Sequence, residues 1–90
     1  MHTDEFEISL HRELKVCGGT IQRIKKSLLL LEQKHGKTTE DFIKELESGT
    51  LVPDSDTQDD YAAWQDTYDS LKRWQALERQ YQQQLGIMKI

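Results

Sequence analysis

Apolar residues recur along the first third of the chain at helical intervals. Leu10, Leu14, Cys17, Ile21, Ile24, Leu28 and Leu31 are spaced 4, 3, 4, 3, 4 and 3 apart. That is an unbroken heptad seam, and such a seam needs another helix to cover it. It predicts a long helix over about 4–35, starting near Thr3 or Asp4 with Asp4, Glu5 and Glu7 in its first turns. Negative charge there suits the positive end of the helix dipole. Gly36 is placed as a left-handed terminator, with Lys34 and Lys37 beside the carbonyl end. Gly18-Gly19 could split this helix, since two interior glycines cost about 2 kcal/mol relative to alanine. The heptad phase is nevertheless the same on both sides of the pair. One continuous helix, bent if anywhere at the glycines, is therefore expected, with closest packing near Cys17-Gly18.

Thr38-Thr39-Glu40-Asp41 reads as a helix start, Thr38 being the N-cap and Asp41 its partner in a capping box. A short helix over about 39–48 would bury Phe42, Ile43 and Leu46 and stop at Gly49. Thr50 to Pro53 is a connector, extended at Val52 because proline follows. Ser55 with Gln58 forms a second capping box, with Asp56 as an alternative cap, opening a long helix over about 56–85. Its stripe is Tyr61, Trp64, Tyr68, Leu71, Trp74, Leu77, Tyr81 and Leu85, spaced three or four apart. Gly86 is its expected terminator, with Ile87 folding back on Tyr81. The expectation is a single all-α domain over 1–90. In it, two long antiparallel helices are joined by a short helix, and two copies form a four-helix bundle.

Composition sharpens the dimer expectation. Apolar residues are 36% of the chain and charged residues 31%, which is thin core material for 90 residues. Burial against a second copy would make up the deficit. The longest apolar run, Leu28 to Leu31, is far below membrane-spanning length, so no membrane association is expected. The acidic start Met1-His2-Thr3-Asp4-Glu5 lacks the basic and apolar regions of a signal peptide. One cysteine excludes an internal disulfide framework, and a cytoplasmic protein is expected. Cys17, on the seam, reads as a small core residue.

Charge is unevenly spread. Residues 1–37 carry +2, residues 38–70 carry −9 and residues 71–90 carry +3, for a net −4. The middle third would repel nucleic acid and attract a basic protein. Arg12, Lys15, Arg23, Lys25, Lys26, Lys34 and Lys37 scatter around the first helix among Glu13 and Glu32, as a solvated face does.

Motifs for chemistry are weak. Asp54-x-Asp56-x-Gln58 suggests a calcium loop, but Asp59 stands where the glycine belongs and Gln65 where the bidentate glutamate belongs. Helix-capping acids explain the run better. Glu32-x-x-His35 has the spacing of di-iron bundles but sits at a helix end, where His35 reads as a half-exposed terminal histidine. His2, His11 and the serines form no nucleophile pattern, and Gly18-Gly19-Thr20 lacks the lysine of a phosphate loop. No enzyme activity, metal or cofactor is expected. The richer signal is the aromatic stripe beside carboxylates. Its default reading is core, and its functional reading is a partner-binding set of Asp59, Asp60, Trp64, Asp66, Tyr68, Asp69 and Trp74.

One resemblance bears on this. Lys34-His35-Gly36-Lys37-Thr38, Phe42, Ser48-Gly49, the acids from Asp54 to Asp60, then Trp64, Leu71 and Trp74 resemble a pattern in small prokaryotic helical proteins, some regarded as antitoxins. The pattern covers less than half the chain. It implies a non-enzymatic protein that masks a small, basic toxin. The alternative is a structural bundle that associates only with itself.

Overall fold

The computed structural model describes residues 5–88, and all of its regular structure is helical: α1 (Glu5–His35), α2 (Thr39–Ser48) and α3 (Gln58–Met88). The expected α1 start at Thr3 or Asp4 lies outside the described residues. α1 runs unbroken through Gly18 and Gly19, whose backbones are not left-handed. A β-carbon added at either glycine would meet nothing within 4 Å, so the expected closest packing at Cys17-Gly18 is not found. The helical period explains this. Gly18 lies 100° away from buried Cys17 and Gly19 twice that, so neither glycine faces α3.

Gly36 terminates α1 with φ 68°, and its N–H bonds the Glu32 carbonyl at 2.8 Å. Three residues later α2 begins. The Thr38 hydroxyl caps it by accepting from the Asp41 amide at 3.1 Å, as the sequence predicts. A second orphan amide, that of Thr39, is taken by the Glu32 carboxylate at 2.8 Å, so α1 caps α2 from outside. Gly49, at φ 76°, ends α2.

The start of α3 differs from expectation. The capping box is Asp54–Thr57, one residue earlier than Ser55–Gln58. The Asp54 carboxylate accepts from the amides of Asp56 and Thr57, both at 2.9 Å, and the Thr57 hydroxyl accepts from the Asp54 amide at 3.0 Å. These bonds hold the Asp54 carboxyl below its ordinary range, the Thr57 hydroxyl and amide being the leading causes. At the other end α3 does not stop at Gly86 but continues to Met88. A reversal there would be driven by burying Ile87 on Tyr81. Ile87 is instead 70% exposed, and nothing draws the chain back.

α1 and α3 pack antiparallel. Asp60, at the start of α3, meets Lys34 and His35 at the end of α1, while Glu78 lies near Cys17 further along. The molecule is a rod of 61 × 21 × 17 Å. Its radius of gyration is 17.6 Å, against about 12 Å for a compact domain of this length. α2 lies across one end. The main core is built there from Ile21, Leu28, Phe42, Trp64 and Leu71, flanked by half-buried Ile24, Leu31, Ile43, Leu46, Tyr61, Tyr68 and Trp74. Toward the other end, among the described residues, Leu10, Cys17 and Leu85 are buried and Leu14 is half-buried. The heptad seam is thus covered within the chain by α3.

Candidate protein-binding surface

The residues expected to bind a partner separate into three groups. Trp64 belongs to the core. It is fully buried, stacks on Phe42 at 4.1 Å and 2°, and donates its indole N–H to the Thr39 hydroxyl at 2.9 Å. Its expected place as an exposed anchor is therefore corrected: α2 covers it, and the Thr39 hydroxyl satisfies the one polar atom that burial would orphan.

Asp60 belongs to a clamp at the junction of the three helices. Its carboxylate accepts from Lys34 Nζ at 2.7 Å and His35 Nε2 at 3.0 Å. Those two hydrogen bonds, Lys34 first, hold the Asp60 carboxyl below its usual range. The carboxylate accepts only, so Nε2 of His35 carries a proton. The imidazole is not half-exposed as expected. Its side chain is 13% exposed, stacked against Trp64 and tilted on Tyr61, both at 5.5 Å between centroids. The pair Glu32 and His35, spaced like metal ligands, is turned to two different structural tasks: Glu32 caps α2 and His35 ties α1 to α3. Among the described residues no three His, Cys, Asp or Glu side chains converge as a metal site requires. Sequence reasoning marked Glu32, His35 and Thr39 but missed the roles that join them. The signal was the adjacency of His35-Gly36 to the Thr38 cap, which forces the end of α1 and the start of α2 into one place.

The third group is at the surface. Asp59 and Asp66 are exposed. Asp69 pairs with Lys72 at 3.7 Å, and Lys72 Nζ also sits 4.8 Å from the centre of the half-buried Tyr68 ring. Trp74 is half-buried at the edge of the core. Together with Glu40, Asp41, Glu47, Asp54 and Asp56, Asp59 gives an exposed acidic pole at the α2 end, while Asp66 lies further along α3. Among the described residues none of these seven carboxylates is in a salt bridge. Between residues 38 and 70 the chain supplies a single cation, Lys44. Glu45, by contrast, is neutralised by Lys37 at 3.0 Å.

Two grooves run between α1 and α3. One, of about 600 Å³, lies beside α2 and is lined by Lys25, Leu28, Leu29, Thr39, Tyr68 and Leu71 among others. The other, of about 340 Å³, lies on the opposite flank, with Thr20, Arg23, Ile24 and Ser27 facing Asp66, Thr67 and Ser70. The lone thiol contributes to neither. Burial, with the nearby Glu78 and Glu13 carboxylates, raises the pKa of Cys17 and keeps it a protonated core group. No described helix is long and apolar enough to cross a membrane. Comparison with protein-family models, curated proteins and solved structures finds no match to this chain.

Proposed function

We propose that this chain is a non-enzymatic, cytoplasmic helical interaction module that binds a basic protein through the acidic pole at its α2 end. The observation that carries the reading is the set of six exposed, unbridged carboxylates Glu40, Asp41, Glu47, Asp54, Asp56 and Asp59 in a segment, 38–70, whose single cation is Lys44. Such a field accelerates and orients the approach of a basic partner, and half-buried Tyr68 supplies aromatic surface in the groove beside α2. The most concrete form, which the resemblance suggests, is an antitoxin masking a small basic toxin.

The test is co-expression with the small basic protein encoded by the adjacent gene, followed by titration calorimetry over a salt series. Binding should weaken as salt rises and be lost in the combined variant Glu47→Lys, Asp56→Lys and Asp59→Lys. Equal binding by that variant at all salt concentrations, or no basic neighbour, removes the reading. A second reading, a bundle that associates with itself, is favoured by a separate observation. Phe6, Val16 and Ile87, toward the end away from α2, are 57%, 49% and 70% exposed.

A further inference from the structure

α1 buries Leu10, Cys17, Ile21 and Leu28, and the side of the helix opposite that seam is exposed. At 100° per residue, Arg12, Lys15, Arg23 and Lys26 all fall within about 40° of the line opposite the seam. These four basic residues therefore share one face. Glu7, Glu13 and Glu32 lie about 120° or more from that line, and Glu5, in the first turn, is the one carboxylate of the described α1 on the face. Among the described residues none of the four cations is in an ion pair. The arrangement repeats every eleven residues. Arg12 and Lys15 recur as Arg23 and Lys26, and Ile8, Gly19 and Leu30 keep the same register. Eleven residues are close to three turns, so one face points one way along the helix. The next pair, Lys34 and Lys37, is spent on Asp60 and Glu45.

The face is also apolar. Ile8 and Leu30 lie within about 20° of its centre and are 47% and 62% exposed. At its margin a shallow depression of about 450 Å³, lined by Gln22, Arg23, Lys25, Lys26 and Leu29, holds three cations and no carboxylate. The outward face of α3 is different. Ala62, Asp69, Arg73, Ala76 and Gln80 stand there, and Ile87 is the one large apolar residue exposed on the described part of α3. Small and polar groups with charges of both signs are what a solvated helix face carries, and the outward face of α1 departs from that in both charge and hydropathy.

We propose that the outward face of α1 adsorbs to an anionic lipid bilayer, with the helix lying on the surface rather than crossing it. This goes beyond the acidic-pole reading and does not rest on it. Charge complementarity selects an anionic partner, and exposed Ile8 and Leu30 select one with hydrocarbon beneath its charges. The stems of Arg and Lys can lie along that boundary while their charged heads reach the phosphates. A nucleic acid would use the cations but not the aliphatic groups, and a single strand calls for exposed aromatic rings, which this face lacks among the described residues. The stretch from Ile8 to Leu30 is about 33 Å long at 1.5 Å per residue, and a sheet of headgroups can meet it along its whole length. Salt screens charges beyond about 8–10 Å, so the surface responds to the cations laid on it more than to the net charge of −4.

The test is flotation of the purified chain with vesicles of equal parts phosphatidylcholine and phosphatidylglycerol, beside vesicles of phosphatidylcholine alone. The chain should float with the anionic vesicles, stay behind with the neutral ones, and bind less as salt rises. Arg23→Glu with Lys26→Glu should lower the partition coefficient by roughly tenfold or more. Ile8→Ser with Leu30→Ser should lower it severalfold at unchanged charge. Arg73→Glu, a charge reversal on the outward face of α3, should bind as the parent does. All five positions are exposed, so circular dichroism should show parent-like helix in each variant. No flotation with the anionic vesicles, equal flotation with the neutral ones, a loss in Arg73→Glu as large as in the α1 pair, or binding indifferent to the serine pair would each overturn the proposal. So would tight binding of duplex DNA in place of the anionic vesicles.

Discussion

The same two helices form both ends of the rod, yet the ends are built differently. At the α2 end, Ile21 and Leu28 on α1 meet Trp64 and Leu71 on α3, and Phe42 is inserted from a third direction. That arrangement leaves Trp64 and Phe42 fully buried. At the far end, among the described residues, two helices face one another without a third across them. Leu10, Cys17 and Leu85 are buried, but Phe6, Ile8 and Val16 remain about half-exposed. Two helices in contact can bury one stripe each, whereas a third helix lets aromatic side chains be enclosed on all sides. A ten-residue helix thus changes the local architecture more than its length suggests. It brings the Thr39 hydroxyl that satisfies Trp64 and the backbone ends that Glu32 and Thr38 cap.

The sharpest way to break the contrast is to remove the aromatic centre. Trp64→Ala leaves a large cavity against Phe42 and an unpaired buried Thr39 hydroxyl, and should cost about 3–5 kcal/mol. Urea denaturation followed by circular dichroism should find the variant largely unfolded or molten. At the open end Leu10→Ala should cost less, about 2 kcal/mol, because a two-helix layer collapses more readily around a lost side chain. Equal losses in the two variants would show that the far end is as tightly built as the α2 end.

How much of this was readable beforehand follows the same division. The seam and the α3 stripe come from a period that does not depend on anything else in the molecule, and three helices form along the predicted segments, α3 being displaced to Gln58–Met88 from the expected 56–85. Gly36 and Gly49 were legible as terminators because each is followed at once by a chain reversal. Gly86 has the same local signature but no apolar contact to drive a reversal, and whether such a contact exists is a tertiary fact. Trp64 was left between a core and a partner-binding reading for the same reason. Its stripe position says that it is on an apolar face, but only the docking of α2 decides that Trp64 is enclosed and Trp74 left half-covered. Within the candidate surface, Asp59 and Asp66 were legible as free charges. Asp60 was not, since its partners Lys34 and His35 lie about 25 residues away across the hairpin.

A prediction of the opposite sign concerns the glycine pair. Gly18 and Gly19 have helical backbones with open space where a β-carbon would go. Gly18→Ala and Gly19→Ala should therefore each stabilise the protein by about 0.5–1 kcal/mol, from reduced freedom of the unfolded chain. Neither glycine approaches another element, so the gain should appear directly in thermal melts. Destabilisation by either alanine would reveal a close contact at this point of α1.

The smallest effect tests the clamp that joins the two long helices at the α2 end. Hydrogen bonds from Lys34 and His35 depress the folded-state pKa of Asp60 below its unfolded value. The linkage sign follows: more protons are bound by the unfolded chain, so the contribution is fully present above the unfolded pKa of about 4 and fades as pH falls through the folded value. Asp60→Asn removes the charge but keeps the shape. It should lower the melting temperature slightly near neutral pH and flatten the loss of stability as pH falls below about 4, relative to the parent. The effect is kept small because the carboxylate is partly solvated and Lys34 is mostly exposed, so water screens the pair. Identical acid-denaturation profiles for parent and variant would mean that the clamp positions His35 against Trp64 without adding to stability. The contrast between the two ends would then rest on the aromatic packing alone.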